Sequence, residues 1–286
     1  MRTVTVLATG PQALVQDLGR PGHGHLGVPP SGALDVPALR LANRLVGNPE
    51  SSAGLEVLFG GLRLRADCSC TVAVTGPATP VSVNGRGRDS HAPVHLANGD
   101  VLELGTPSTG LRSYVGLDGG IAVAVELGSR STDVLSGIGP APLSVGDVLP
   151  LGVPVGVPAG VDELGPRPAP DEITVAVLLG PRDDWFDGAA AQLAVGRWQV
   201  SPESNRIGLR LTGPALRRAA AFDQDELPSE PVVTGAVQVP AGGRPVVFLA
   251  DHPTTGGYPV IGVVPAEALP ALAQARPGTT VLFQPV

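Results

Sequence analysis

Apolar residues in this chain fall in short runs of roughly four to eight positions, closed off by Gly, Pro or Asn, and that punctuation predicts strands. In the first half the pattern places strands at Thr3 to Leu7, Leu55 to Leu58, Leu62 to Arg65, Thr71 to Thr75, Val81 to Asn84, Val101 to Leu104 and Arg112 to Leu117. A second set follows at Ile173 to Leu179, Trp198 to Ser201, Gly208 to Thr212, Ala236 to Val239, Val246 to Ala250, Val260 to Val264 and Thr280 to Phe283. Helical spacing is rare. It is clearest over Asp35 to Val46, where Asp35 caps, Pro37 sits in the first turn, and Val36, Leu39, Ala42, Leu45 and Val46 form one stripe. Shorter helices are expected over Asp184 to Leu193 and Ala266 to Arg276. Many short strands with few helices predict β-barrels or sandwiches and exclude an alternating βαβ sheet. The Pro/Gly-rich stretch LGVPVGVPAGVDELGPRPAP reads as a linker near residues 155 to 170, dividing the chain into 1–160 and 161–286.

Composition changes this picture in several places. Gly at 39 and Pro at 31 approach a disordered composition, but 43% of the chain is apolar, so these residues read as turns between strands. All 19 positive side chains are arginine. Without lysine the chain has no Schiff-base nucleophile, no Walker lysine and no attachment point for biotin or lipoate. A formal charge of −7 argues against a nucleic-acid partner. No apolar run spans a bilayer and no leader pattern opens the chain, so a soluble, cytoplasmic protein is expected. Cys68 and Cys70, placed on one face of a strand from Ala66 to Val74, read as buried free thiols.

Three polar clusters pinned by turn residues are the candidates for chemistry. The stretch VQDLGRPGHGHLGVPPSGALD holds Gln16, Asp17, Arg20, His23, His25, Ser31 and Asp35. His23 and His25 lack a fuller ligand set, so no metal site is expected there. Asp35 doubles as a helix cap, and Gln16, Asp17 and Arg20 fit either a binding surface or a network that pins the loop. The stretch SPESNRIGLRL offers Ser204, Asn205 and Arg206, readable as an amide and carboxylate receptor or as an Asx turn that launches a strand. The stretch QVPAGGRPVVFLADHPTTGGYP brings Gln238, Asp251, His252, Thr254, Thr255 and Tyr258 together around Gly256 and Gly257. Asp251 and His252, adjacent in sequence, are expected to point apart, and no G-x-S-x-G elbow is present.

VQDLGRPG, GVPPSGALD through LANRLVGN, TGPATPVSVNGR, RSYVGLDGGI, LGSRSTD, SNRIGLRL, GAVQVPAGGRPVVFLADHPTTGGYPVIG and AQARPGTTVLF occur in that order. They resemble the biotin-dependent carboxyltransferase family, also called allophanate hydrolase subunit 2 or KipA-like. The resemblance covers essentially the whole chain and implies a mainly β protein of two cyclophilin-like β-barrel halves with a few short helices.

It also implies an activity: service as the C component of a bacterial ATP-dependent 5-oxoprolinase, opening 5-oxo-L-proline to L-glutamate. An A-like and a B-like (KipI-like) partner protein are implied, with ATP held largely by those partners and no biotin on this chain. Two alternatives come with the family. One is a carboxyltransferase acting on urea or another small amide with a separate biotin carrier. The other is a KipA-like regulatory protein that antagonises a kinase inhibitor.

Carried onto the motifs, the resemblance implies Gln16, Arg20, Ser31, Asn205, Arg206, Gln238, Thr254 and Thr255 as substrate-binding residues. Asp251, Tyr258 and Asp17 are the candidates for proton handling. Gln16, Asp17 and Arg20 are expected to form one wall of a site, and Ser204 to Arg206 with Asp251 to Tyr258 the other.

Overall fold

The computed structural model describes residues 1–159, 165–166, 169–223 and 225–286. Much of the expected linker and the 160/161 boundary lie outside the described residues. The chain forms two compact units. The first comprises Met1–Arg20, Ser31–Asp133 and Gly137–Ala169; the second comprises Pro21–Pro30, Val134–Ser136 and Pro170–Val286. None of the described helices is long and apolar enough to cross a membrane.

Two sheets build the first unit. One has six strands in the order Val148–Pro150, Thr3–Thr9, Leu62–Ala66, Val101–Leu104, Val81–Val83 and Arg86–Arg88. The other runs Gln12–Gln16, Gly54–Leu58, Arg112–Leu117, Cys70–Thr75 and Val94–Leu96. Alternate side chains from both sheets, among them Val4, Val6, Leu64 and Leu102 from the first and Leu55, Val57, Val72 and Val115 from the second, meet in one apolar core.

On its other face the five-stranded sheet carries the helix Val36–Leu45. Leu39 and Ala42 pack with Tyr114, while Leu41 and Leu45 pack with Ala73. A Cβ on Gly116 would lie 2.8 Å from the Ala42 carbonyl oxygen, so glycine there lets the helix backbone rest on the sheet. Covered on both faces, Arg112–Leu117 is buried at every position. Asp35 caps the helix by accepting from the Ala38 amide at 3.1 Å, and Pro37 occupies its first turn.

In the second unit seven strands close a barrel in the order Glu172–Leu179, Val260–Val263, Ala236–Gln238, Val246–Phe248, Gly208–Thr212, Trp198–Val200 and Thr280–Pro285. The ring closes through a parallel pairing of its first and last strands, from Glu172 opposite Thr280 to Val177 opposite Pro285. Trp198 is fully buried, tilts against Phe283 at 5.2 Å between ring centroids, and donates its indole N–H to the Pro214 carbonyl at 3.0 Å.

Local chemistry changes several expected elements. Asp67 accepts from the Thr5 hydroxyl at 2.6 Å and from Arg65 Nε at 2.9 Å, and the turn it anchors splits the strand expected from Ala66 to Val74. Cys68 therefore lies in that turn, half-buried, while Cys70 is buried in the strand and burial pushes its thiol up to about 12. The helix expected over Asp184 to Leu193 is a 3-10 turn, Asp183–Trp185, and a separate helix, Ala189–Val195, parted at Gly188, whose φ of 58° no right-handed helix contains. Gln12–Gln16, Arg86–Arg88, Val94–Leu96 and Val148–Pro150 are strands that the pattern alone does not mark.

Candidate functional site

In the first unit the strand Gln12–Gln16 delivers Gln16 and then Asp17 to Arg20, beside the stretch Ser129 to Thr132. Asp17 works as a knot. Its Oδ1 accepts from the Ser129 and Ser131 hydroxyls at 2.5 and 2.6 Å and from the Gly19 amide at 2.8 Å, while Oδ2 accepts from the Arg130 amide at 2.7 Å. The Asp17 amide in turn donates to Ser131 Oγ at 3.0 Å. Every oxygen of this buried carboxylate is engaged in holding the Ser129 to Ser131 turn against the end of the strand.

That turn positions three further side chains. Gln16, wholly buried, donates from Nε2 to the Thr132 carbonyl at 2.8 Å, and Ser31 Oγ donates to the same carbonyl at 3.1 Å. Ser31 sits at φ 53°, and a Cβ on Gly32 would come within 2.8 Å of the Gly19 amide nitrogen. Arg20 is 1% exposed, with its guanidinium donating to the Ser131 carbonyl and, at 3.4 Å, to the Glu126 carbonyl. A Cβ on Gly139 would collide with the Ser131 carbonyl oxygen, so the backbone closes tightly over this point. Among the described residues Gln16 Oε1, Arg20 Nη1 and Thr132 Oγ1 are buried without a hydrogen-bond partner. All three belong to side chains gathered at Ser131 and Thr132.

The second unit presents the opposite condition. Arg206 and Asp251 are buried together, with Nε to Oδ2 at 2.8 Å and Nη2 to Oδ1 at 3.0 Å, and the Val134 amide adds a bond to Oδ2 at 3.2 Å. Asn205 Oδ1 accepts from the Ile207 and Gly208 amides at 2.9 and 3.2 Å, and Ser204 Oγ accepts from the Arg210 amide at 3.0 Å. These are the turn bonds that launch the strand Gly208–Thr212.

Gln238 is buried and donates from Nε2 to the Tyr258 carbonyl at 3.2 Å; a Cβ on Gly256 would collide with that nitrogen. Tyr258 itself is 46% exposed; Thr254 is half-buried and Thr255 exposed. His252 meets Thr234 Oγ1 at 3.1 Å and stacks on Phe248, while Asp251 meets Arg206. His23 and His25 lie in and beside the short turn Gly24–Leu26 with ring centroids 6.5 Å apart. Among the described residues no group of three or more His, Cys, Asp or Glu side chains gathers to hold a metal.

Thr132 is the residue that sequence reasoning passes over. Its signals are a place in the polar run Ser129 to Asp133, which reads equally well as a solvated turn, and in the motif LGSRSTD, which assigns it no role. As for cofactors, the Asp35 carboxylate accepts from the Ala38 amide at the start of the helix Val36–Leu45, and the sequence has no lysine to which biotin could be attached.

Comparison with known proteins gives the family. The chain is 36% identical to the C component of the 5-oxoprolinase of Escherichia coli over 283 residues, covering 97% of this chain and 89% of that protein. It is 33% identical to the urea amidolyase of Lachancea kluyveri, of which it spans 17%. It superposes on the crystal structure of the Kluyveromyces lactis urea carboxylase with a TM-score of 0.91 at 31% identity, covering 99% of this chain and 27% of that one. The profile described as carboxyltransferase domain, subdomain A and B, matches residues 26–285, and the chain belongs to that carboxyltransferase family.

Proposed function

We propose that this protein is the C component of an ATP-dependent 5-oxoprolinase and takes part in opening 5-oxo-L-proline to L-glutamate. One observation carries this reading: the likeness to the 5-oxoprolinase C component of Escherichia coli runs over nearly the full length of both chains. A-like and B-like partner proteins supply the ATP site in this scheme, which fits a chain without lysine.

Opening a lactam requires a group that reads its N–H and a cation that stabilises charge on its oxygen. Gln16 and Arg20 have those free atoms and are assigned to face the substrate. Ser31 shapes that surface through the Thr132 carbonyl. Asp17 and Asp251, whose oxygens are engaged by the protein, are assigned to positioning, as are Arg206 and Gln238, while Asn205 is assigned to the turn before Gly208–Thr212. Tyr258, half-exposed in the second unit, stays a candidate for proton transfer.

The test is glutamate release by the complex reconstituted with its A-like and B-like partners and ATP. Release that stops when this chain is omitted supports the reading; release at an unchanged rate without it overturns the reading. The likeness to urea amidolyase and urea carboxylase favours a second reading, transfer of a carboxyl group to urea or a related amide. Avidin-sensitive carboxylation of urea, in place of glutamate release, selects it.

A further inference from the structure

The three unpartnered atoms of the first unit form a set whose chemistry is specific. Gln16 Nε2 is committed to the Thr132 carbonyl, which fixes the amide's orientation and leaves Oε1 as an acceptor that no donor among the described residues meets. Arg20 Nη1 is a charged donor; among the described residues its guanidinium meets two backbone carbonyls and no carboxylate. Thr132 Oγ1, on the residue whose carbonyl Gln16 and Ser31 both use, is free to donate or accept. Leaving one such group buried and unmet is costly, and three on side chains that meet at the two successive carbonyls of Ser131 and Thr132 is not a defect that packing alone removes.

We infer that Gln16 Oε1, Arg20 Nη1 and Thr132 Oγ1 together bind the amide group of a small lactam or urea-like substrate, with Thr132 as a substrate-binding residue. The proposal rests on the functional reading above and sharpens its substrate contact. A carboxylate does not fit this set, because both of its oxygens are acceptors and one would face Gln16 Oε1. A cis amide presents an N–H and a carbonyl oxygen side by side. The N–H donates to Gln16 Oε1, the oxygen accepts from Arg20 Nη1, and the Thr132 hydroxyl completes the oxygen's second lone pair. As the carbonyl gains negative charge, the guanidinium contact strengthens, which is the differential binding that catalysis needs.

The experiment measures binding of 5-oxo-L-proline, and its displacement by 2-pyrrolidinone, on the full chain alone and assembled with its A-like and B-like partners. The lactam of 2-pyrrolidinone carries no carboxylate, so it separates recognition of the amide from recognition of an acid. Expected are displacement by 2-pyrrolidinone, an affinity about tenfold weaker in Thr132→Val at an unchanged melting temperature, and recovery in Thr132→Ser. Equal affinity in Thr132→Val, displacement by carboxylic acids but not by 2-pyrrolidinone, or no saturable binding in either state overturns the proposal and leaves the three atoms to a buried water. The two readings fail separately. Thr132-dependent lactam binding without glutamate release removes the 5-oxoprolinase assignment and keeps the site; chain-dependent glutamate release with kcat and KM unchanged in Thr132→Val does the reverse.

Discussion

Arg20 and Arg206 are both arginines buried to the same degree, yet their surroundings differ in kind. Arg206 lies side-on to Asp251 with two hydrogen bonds, and the charge of each is met within the same unit. Among the described residues Arg20 is held by backbone carbonyls alone and keeps one nitrogen without a partner. The paired arginine is a fastening, because removing either member strands the other. An arginine with an unmet donor retains capacity for something the chain does not itself supply. Both are candidates for gripping substrate on sequence grounds, and the geometry gives the fastening to Arg206 and the open valence to Arg20.

The most severe way to break this comparison is Asp251→Ala. It leaves Arg206 buried and uncompensated, and the expected cost is about 3–5 kcal/mol of stability, read from denaturant unfolding of the purified chain. A loss below about 1 kcal/mol would remove the distinction between the two arginines. Arg20→Met comes next: it discards a cation that has no ion partner among the described residues but strands the Ser131 carbonyl, so the expected loss is about 1–3 kcal/mol. Turnover of the assembled complex should fall by about 10²- to 10³-fold, far more than the fraction unfolded explains. Asn205→Ala removes the acceptor of a turn, at a cost of about 1 kcal/mol, and kcat and KM should be unchanged. A raised KM there would return Asn205 to the substrate.

The smallest effect is a pH dependence in the first unit. Burial holds the His91 imidazole below its ordinary value, against a smaller upward pull from the Gly76 backbone. The unfolded chain then binds this proton more readily than the folded one. Stability at His91 is therefore fully present above about pH 6.5 and is lost as pH falls through the lower folded value. His91 has φ 61°, which asparagine tolerates, so His91→Asn should flatten the fall in melting temperature between pH 7 and pH 5.

What the sequence makes legible follows from period and punctuation. Half-buried strands such as Glu172–Leu179 alternate and are visible; the helix Val36–Leu45 announces both its cap and its stripe. Gln12–Gln16 escapes because it is buried on both faces and so shows no alternation, and its last residue belongs to a run dense in turn formers. The candidate residues can be chosen from polar side chains among glycines and prolines. Which of their atoms the fold consumes cannot, since Asp17 meets Ser129 and Ser131 across more than a hundred positions of chain. Thr132 is hidden for the same reason: a threonine in a polar run says nothing about the glutamine its carbonyl will hold.

The seam of the barrel, where Glu172–Leu179 runs parallel to Thr280–Pro285, has a consequence for synthesis of the protein. The first strand made waits for the last, across about a hundred residues, before the ring can close, a long-range pairing of the kind that slows folding. Until the ribosome has released that final strand, the nascent barrel has two open edges and an exposed interior. A chain cut short before residue 280 should be recovered as aggregate or bound to chaperones rather than as a smaller folded domain.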